Sequence, residues 1–230
     1  MIKQYHLPLP NRSSMEAEDF LPSPANKEAV DWLLNREPTA WSSHALVLWG
    51  PQGAGKTHLM SIWANKRRAV SVAPGDDNIT LLLHGHKEPA YVLDNADELI
   101  PGHKAAEEWL QHFYNATKSA HIPFLIIARR PPALWHLGLR DIETRLKSCA
   151  TIEIAQPDDA LMRGLLLKLF ADRQLMVEGG VVEYLAARLN RMGSAVIEAV
   201  AALDEAALET KRKISIPFAQ RVLALKQEEE

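Results

Sequence analysis

The stretch Gly50-Pro51-Gln52-Gly53-Ala54-Gly55-Lys56-Thr57 satisfies every fixed position of the pattern G-x-x-x-x-G-K-[ST]. What flanks it constrains the fold. Ala45-Leu46-Val47-Leu48-Trp49 is a continuous apolar run, as expected of a strand buried on both faces. Beyond the loop, Leu59, Ile62 and Trp63 recur at helical spacing. A strand, a glycine turn and a helix in that order make a phosphate loop. Glycines let backbone N–H groups turn inward around phosphate oxygens, and the helix N-terminus adds the positive end of its dipole. Lys56 is expected to reach the β- and γ-phosphates of ATP, and the Thr57 hydroxyl to ligate Mg²⁺.

Further short apolar runs fall at 69–73, 79–83, 90–93, 124–128 and 151–154. Residues 104–118 read as a helix with Ala105, Trp109, His112 and Phe113 on one side. Asn26 is placed to cap a helix whose stripe is Val30, Leu33 and Leu34. Strands alternating with helices predict an α/β domain with a parallel sheet flanked by helices. Past Pro157 the pattern becomes helical throughout. Asp158-Asp159 cap a run with Leu161, Leu165, Leu166 and Leu169, and Gly179-Gly180 break the chain. Helices are expected over 181–189, over 194–211 and after Pro217. The predicted organisation is an extended arm over 1–23, an α/β nucleotide-binding domain over 24–155 and a small all-helical lid domain over 156–230.

Ala90-Tyr91-Val92-Leu93-Asp94-Asn95 is an apolar strand ending in an acid, the Walker B pattern. Asp94 would hold Mg²⁺ through water, unless it is only a strand-terminal turn residue. Hydrolytic ATPases of this pattern place an Asp or Glu next, to orient the attacking water. Here the residue is Asn95, which cannot accept a proton, so the site is expected to bind ATP and split it poorly. Asp97 and Glu98, two and three residues further on than Asn95, are expected to leave the strand end.

Composition narrows the partners. The formal net charge of −3 lacks the basic excess of proteins that grip DNA through their own surface, so direct sequence-specific DNA binding is not expected. The only cysteine is Cys149, compatible with a reducing compartment and with a packing role. No apolar signal segment opens the chain and no run is long enough to span a bilayer, so no membrane association and a cytoplasmic location are expected. His84-Gly85-His86 lacks the acids or thiols that would complete a metal site and reads as a polar loop. Trp32, Trp49, Trp63, Trp109 and Trp135 lie on apolar stripes and read as core. Lys211-Arg212-Lys213 reads as a solvated helix end.

Gln4-Tyr5-His6-Leu7-Pro8-Leu9 resembles the short peptide by which bacterial proteins dock on the sliding clamp, roughly Gln-x-x-Leu-Pro-Leu. Pro8 and Pro10 discourage helix and keep the segment extended. Leu7 and Leu9 can then enter an apolar pocket while Gln4 supplies a directional amide. The other reading is an arm that packs back on its own α/β domain.

Several segments join these motifs in a shared order. Asp19-Phe20-Leu21 with Asn26 is similar to an adenine-side segment. Arg130-Pro131-Pro132-Ala133-Leu134 looks like the stretch after a sensor I strand. Leu137-Gly138-Leu139, then Thr144-Arg145-Leu146, look like a box VII region, and Lys213-Ile214-Ser215-Ile216-Pro217-Phe218 looks like the expected C-terminus. Together they make the chain resemble, over nearly its whole length, the DnaA/Hda branch of the AAA+ ATPases, and within it the Hda family of regulatory inactivators of DnaA.

The resemblance implies a pocket for ADP or ATP with Mg²⁺, lined by Phe20, Leu21, Gly50 to Thr57 and Asp94. It implies docking on the sliding clamp, the beta subunit of DNA polymerase III, through Gln4, Leu7, Pro8 and Leu9. It implies Arg145 acting in trans on ATP bound to DnaA, and a possible homo-oligomer. An initiator DnaA would continue into a DNA-reading helix-turn-helix domain, whereas this sequence ends at Glu230.

Departures from the family pattern are specific. The lid arginine of sensor II falls at Ser194, with Arg191 three residues back. The sensor I strand ends in Ile127-Ala128-Arg129, where a small polar or acidic group is common. A second arginine of box VII falls at Cys149, and Arg140 is a rival to Arg145. Two other functions stay open: a stand-alone DnaA-like ATPase such as a helicase loader, and a non-catalytic adaptor.

Overall fold

A computed structural model of the chain describes residues 20–76, 89–210 and 212–227. The docking residues Gln4, Leu7, Pro8 and Leu9, the run at 79–83 and His84-Gly85-His86 lie outside the described residues.

The chain enters through a short helix, α1 (Lys27–Val30), continued by a wider turn over Asp31–Asn35. Strand β1 (Ala45–Trp49) leads through the glycine loop into α2 (Lys56–Arg67). Then follow β2 (Val70–Ser71), β3 (Tyr91–Leu93), α3 (Ala96–Leu99), α4 (Lys104–Ala120), β4 (Phe124–Ala128), α5 (Arg140–Ser148) and β5 (Ala150–Glu153). The strands form one parallel sheet in the order β2-β3-β4-β1-β5.

Side chains alternate across each strand, and in the inner strands β1, β3 and β4 both faces are buried, which is why those runs read as continuously apolar, whereas the edge strands β2 and β5 leave Ser71, Thr151 and Glu153 exposed. One face sends Ala45, Val47, Tyr91, Leu93, Phe124 and Ile126 against α4 and α5. The other sends Leu46, Leu48, Val92, Leu125, Ile127 and Ile152 against α1 and α2. Helix α4 buries Ala106, Trp109, Leu110, Phe113 and Tyr114, while Ala105 and His112, expected on the inner face, are exposed. Its buried stripe takes in Ala106, Leu110 and Tyr114 beside the expected Trp109 and Phe113, and Tyr91 and Phe124 both meet Phe113 edge-on.

Of the tryptophans expected in the core, Trp63, Trp109 and Trp135 are buried and Trp32 and Trp49 are half-buried. Trp41, which no apolar stripe marks, is buried and stacks on Trp63.

Past Pro157 the described chain forms α6 (Asp159–Asp172), α7 (Val181–Ala186), α8 (Gly193–Thr210) and α9 (Ile216–Gln227) around a separate core that includes Met162, Leu166, Phe170, Val200 and Leu203. Asp158 caps α6, its Oδ1 accepting a hydrogen bond from the Leu161 amide at 2.7 Å. No described helix is long and apolar enough to cross a membrane.

Candidate functional site

A cavity of about 340 Å³ lies where the glycine loop meets the helical domain. Its sheet-side wall is Phe20, Leu21, Asn26 and the run from Gly53 to His58; its helical wall is Pro157, Leu161, Leu165, Gly193, Ser194 and Ile197.

Backbone geometry explains the glycines. Gly53 and Gly55 sit at φ +75° and +99°, where a side chain is strained. Gly50 lies so close to the end of β5 that a Cβ would stand 2.1 Å from the Ile154 carbonyl oxygen. On Gly53 the lid makes its own contact: the Gly193 amide donates to the Gly53 carbonyl at 3.1 Å, and the Met192 side chain covers the place a Gly53 Cβ would take.

Lys56 opens α2. Its ammonium donates to the Gly50 and Pro51 carbonyls at 2.7 and 2.8 Å. Burial pushes its pKa down, the Arg129 charge adds to that, and Asp94 and Asp97 oppose it. The lysine is therefore held folded over the loop with an incomplete counter-charge. Thr57 follows it on the exposed first turn, and Asp94 is half-buried at the end of β3.

The chain turns sharply at Asn95, whose φ of +51° is a left-handed conformation that asparagine tolerates. Its own side chain is exposed. The turn starts α3 at once, and this corrects the expectation for Asp97 and Glu98. Instead of leaving the strand end, Asp97 folds back under β4, with its side chain only 2% exposed. It accepts hydrogen bonds from the Arg129 amide at 2.9 Å, the Arg130 amide at 3.2 Å and the Arg130 Nε at 3.4 Å. Glu98 pairs with the Arg129 Nη1 at 2.7 Å. The sequence reading missed Asp97; the signal for it was an acid that a turn residue directs back under the sheet.

Phe20, Leu21 and Asn26 come together on one rim of the cavity. Phe20 lies over Gly55 and meets His58 edge-on, and Leu21 reaches Gly164 of α6. Asn26 does not cap α1. Its amide group donates to the Leu21 carbonyl at 3.0 Å and its Oδ1 accepts from the Ser23 amide at 2.7 Å. It is 3% exposed and works backward, holding Phe20 and Leu21 on the pocket rim.

The lid presents no cation to the pocket among the residues that line it. Ser194 stands there, neutral. Arg191 is not among the lining residues; its exposed guanidinium pairs with Asp159, Nη2 lying 2.8 Å from the Oδ1.

Arg145 lies on α5, away from the residues that line this cavity. Its Nε donates to the Asp141 Oδ2 at 2.8 Å, which also accepts from Gln111 at 3.1 Å. The guanidinium lies 5.9 Å from the Tyr114 ring centre. Arg140 begins the same helix and is exposed. The start of α5 is set by Glu107, 3% exposed, whose Oε2 accepts from the Gly138 and Leu139 amides at 2.8 and 3.0 Å. Cys149 is buried, accepts from Ser43 and donates to the Arg145 carbonyl; burial pushes its thiol up, so it packs rather than reacts.

Among known proteins, residues 159–223 match the family model for the Hda lid domain. Domain III of the Thermotoga maritima replication initiation protein DnaA superposes with a TM-score of 0.77 at 17% identity, over 92% of this chain and 96% of that one. AMPPCP-bound DnaA from Aquifex aeolicus superposes at 0.67 and 16% identity, over 84% of this chain and 65% of that one. The Thermotoga maritima Holliday junction branch migration motor RuvB superposes at 0.69 and 17% identity, over 92% of this chain and 72% of that one. The fold is that of the DnaA-like AAA+ proteins.

Proposed function

We propose that this chain, an Hda-type lid on a DnaA-like AAA+ domain, is a replication regulator that binds ADP or ATP, docks on the sliding clamp and promotes hydrolysis of ATP held by DnaA. The observation that carries the reading is the cavity itself, with a phosphate loop on one wall and an Hda-type lid touching Gly53 from the other.

The residues present fit a nucleotide. Gly53 and Gly55 leave the backbone clear for phosphate oxygens, and the first-turn amides of α2 are the ones an α-helix leaves without intrahelical partners. Lys56 carries a buried positive charge on the same turn. Phe20, Leu161, Leu165 and Ile197 offer apolar surface for a base. Mg²⁺ bound with a nucleotide would be held by the Thr57 hydroxyl and, through water, by Asp94, and would neutralise phosphate charge there.

The chain's own groups are poorly suited to turnover. Asn95 cannot take a proton and points to solvent from a left-handed turn. Ser194 brings no charge, and Arg191 is not among the residues that line the cavity. These features support binding with little hydrolysis, and they argue against a stand-alone ATPase or helicase loader.

The activating group is then Arg145. An arginine supplied in trans stabilises charge on the γ-phosphoryl oxygens, and its planar fork suits that task better than lysine. Its pairing with Asp141 is an i,i+4 contact at the surface, of the kind that holds weakly, so the guanidinium exchanges partners at little cost. Arg140, on the same helix, is the alternative finger. Glu107 holds the start of that helix in register for either.

The test is hydrolysis of ATP bound to DnaA, measured with clamp loaded on DNA. The wild type accelerates it. Arg145→Ala loses the acceleration while keeping nucleotide and clamp binding, and Gln4→Ala or joint loss of Leu7 and Leu9 loses clamp binding alone. Full acceleration by folded Arg145→Ala assigns the finger to Arg140 or leaves an adaptor without catalysis.

A further inference from the structure

We propose that Tyr114 is a positioning residue for Arg145: a buried ring on α4 that holds the guanidinium of α5 by its face and leaves its edge free for an anion. The proposal rests on the reading of Arg145 as the activating group and names the residue that aims it.

The ring is fixed before the arginine meets it. Tyr114 is 3% exposed. His44 meets it edge-on with ring centres 4.5 Å apart, and the His44 Nε2 is itself 3.1 Å from the Thr117 hydroxyl. The phenol oxygen lies 3.6 Å from the Cys149 Sγ. A thiol has one proton, and Cys149 donates it to the Arg145 carbonyl at 3.3 Å. The sulfur therefore accepts from Tyr114 and from Ser43, the latter at 3.7 Å. Burial pushes the phenol pKa up, so the hydroxyl stays a neutral donor.

Tyr114 thus reaches Arg145 at two points. Through Cys149 it ties the main chain of Arg145 to α4. Its ring lies under the head of the side chain, with the guanidinium carbon 5.9 Å from the ring centre, at the outer edge of the range over which a cation is attracted to a ring.

Face and edge of a guanidinium do not compete. The face stacks on an aromatic ring, while the N–H donors point outward in the plane. Asp141 takes one of those donors, the Nε–H, at 2.8 Å. When the arginine exchanges Asp141 for phosphate oxygens, the ring contact persists and the fork arrives already oriented. A long side chain loses rotamer freedom when it binds, and one already held loses less.

Hydrolysis of ATP on DnaA, titrated with the full chain and with clamp loaded on DNA, separates the saturating rate from the half-saturating concentration. Tyr114→Leu keeps apolar bulk but removes the aromatic face and the hydroxyl. Its saturating rate falls roughly threefold to tenfold, while half-saturating concentration and ADP affinity stay within about twofold. Tyr114→Phe keeps the face and recovers most of the rate. A residue that only filled the core would lower thermal stability and leave the rate of the folded protein unchanged. Side-chain nitrogen relaxation at the Arg145 Nε supplies a second reading that needs no change at Tyr114, and it decides if Tyr114→Leu does not fold. In Asp141→Ala the order parameter stays above about 0.6, because the ring still holds the head. A folded Tyr114→Leu with the wild-type saturating rate overturns the assignment, and so does an order parameter below that value. A wild type that does not accelerate hydrolysis, or an Arg145→Ala that accelerates it fully, overturns the reading of Arg145 and the assignment with it.

Discussion

The two walls of the pocket do different work. The sheet side brings Lys56 and, just outside the lining, Arg129, Asp94 and Asp97, each on a loop at a strand end or on the first turn of a helix. The lid side brings apolar surface, Leu161, Leu165 and Ile197, and one backbone contact from Gly193. Charge is placed on the half that is rigid, where two neighbouring parallel strands fix each loop. In the proposed nucleotide reading, the lid side would cover the base, and a lid without a cation among its lining residues would not report on the terminal phosphate.

The contrast predicts unequal sensitivity of the two halves. Gly50→Ala drives a Cβ into the Ile154 carbonyl, a backbone atom with nowhere to go, and is expected to cost on the order of 4 kcal/mol in urea unfolding. Gly53→Ala adds backbone strain at φ +75°, but its Cβ meets the Met192 side chain, which can move, so it is expected to cost less stability than Gly50→Ala and to loosen the lid, seen as faster hydrogen exchange at the Gly193 amide. Equal loss of stability in both would break the contrast.

Two aspartates sharpen it. Asp97→Ala removes a buried acceptor that ties two part-buried amides and the Arg130 side chain to the end of β4 and should destabilise by about 2 kcal/mol. Asp158→Ala removes one helix cap in the lid and should cost about 1 kcal/mol.

A smaller effect comes from pH. Burial, helped by the Lys118 charge, pushes His44 down from an ordinary 6.5 to about 4. Between those values the unfolded chain takes up the proton and the folded one does not, so stability falls as pH drops through that window. His44→Gln should give a shallower acid slope.

Much of the sheet side was legible because its signals are local. The glycine motif and the apolar runs at β1 and β4 can be read within a few residues, and so can the Asp158 cap in the lid. The Arg145–Asp141 pair was legible from i,i+4 spacing. Asp97 and Glu107 were not, because their partners are backbone amides some thirty residues away, brought near only by the parallel crossovers. Asn26 misled for the opposite reason. A capping residue type before a helix was present, but its side chain found better partners behind it, at Leu21 and Ser23. The inner face of α4 was misplaced because Ala105 and His112 share a helical face with Trp109 but meet nothing in the sheet.

The most direct measurement is titration of ADP into the wild type, Lys56→Ala and Ser194→Ala. If the sheet side carries the phosphate charge, the wild type binds, Lys56→Ala shows no measurable binding while its thermal unfolding stays cooperative, and Ser194→Ala binds within about twofold of the wild type. Unchanged binding by folded Lys56→Ala, or a large loss in Ser194→Ala, would contradict it.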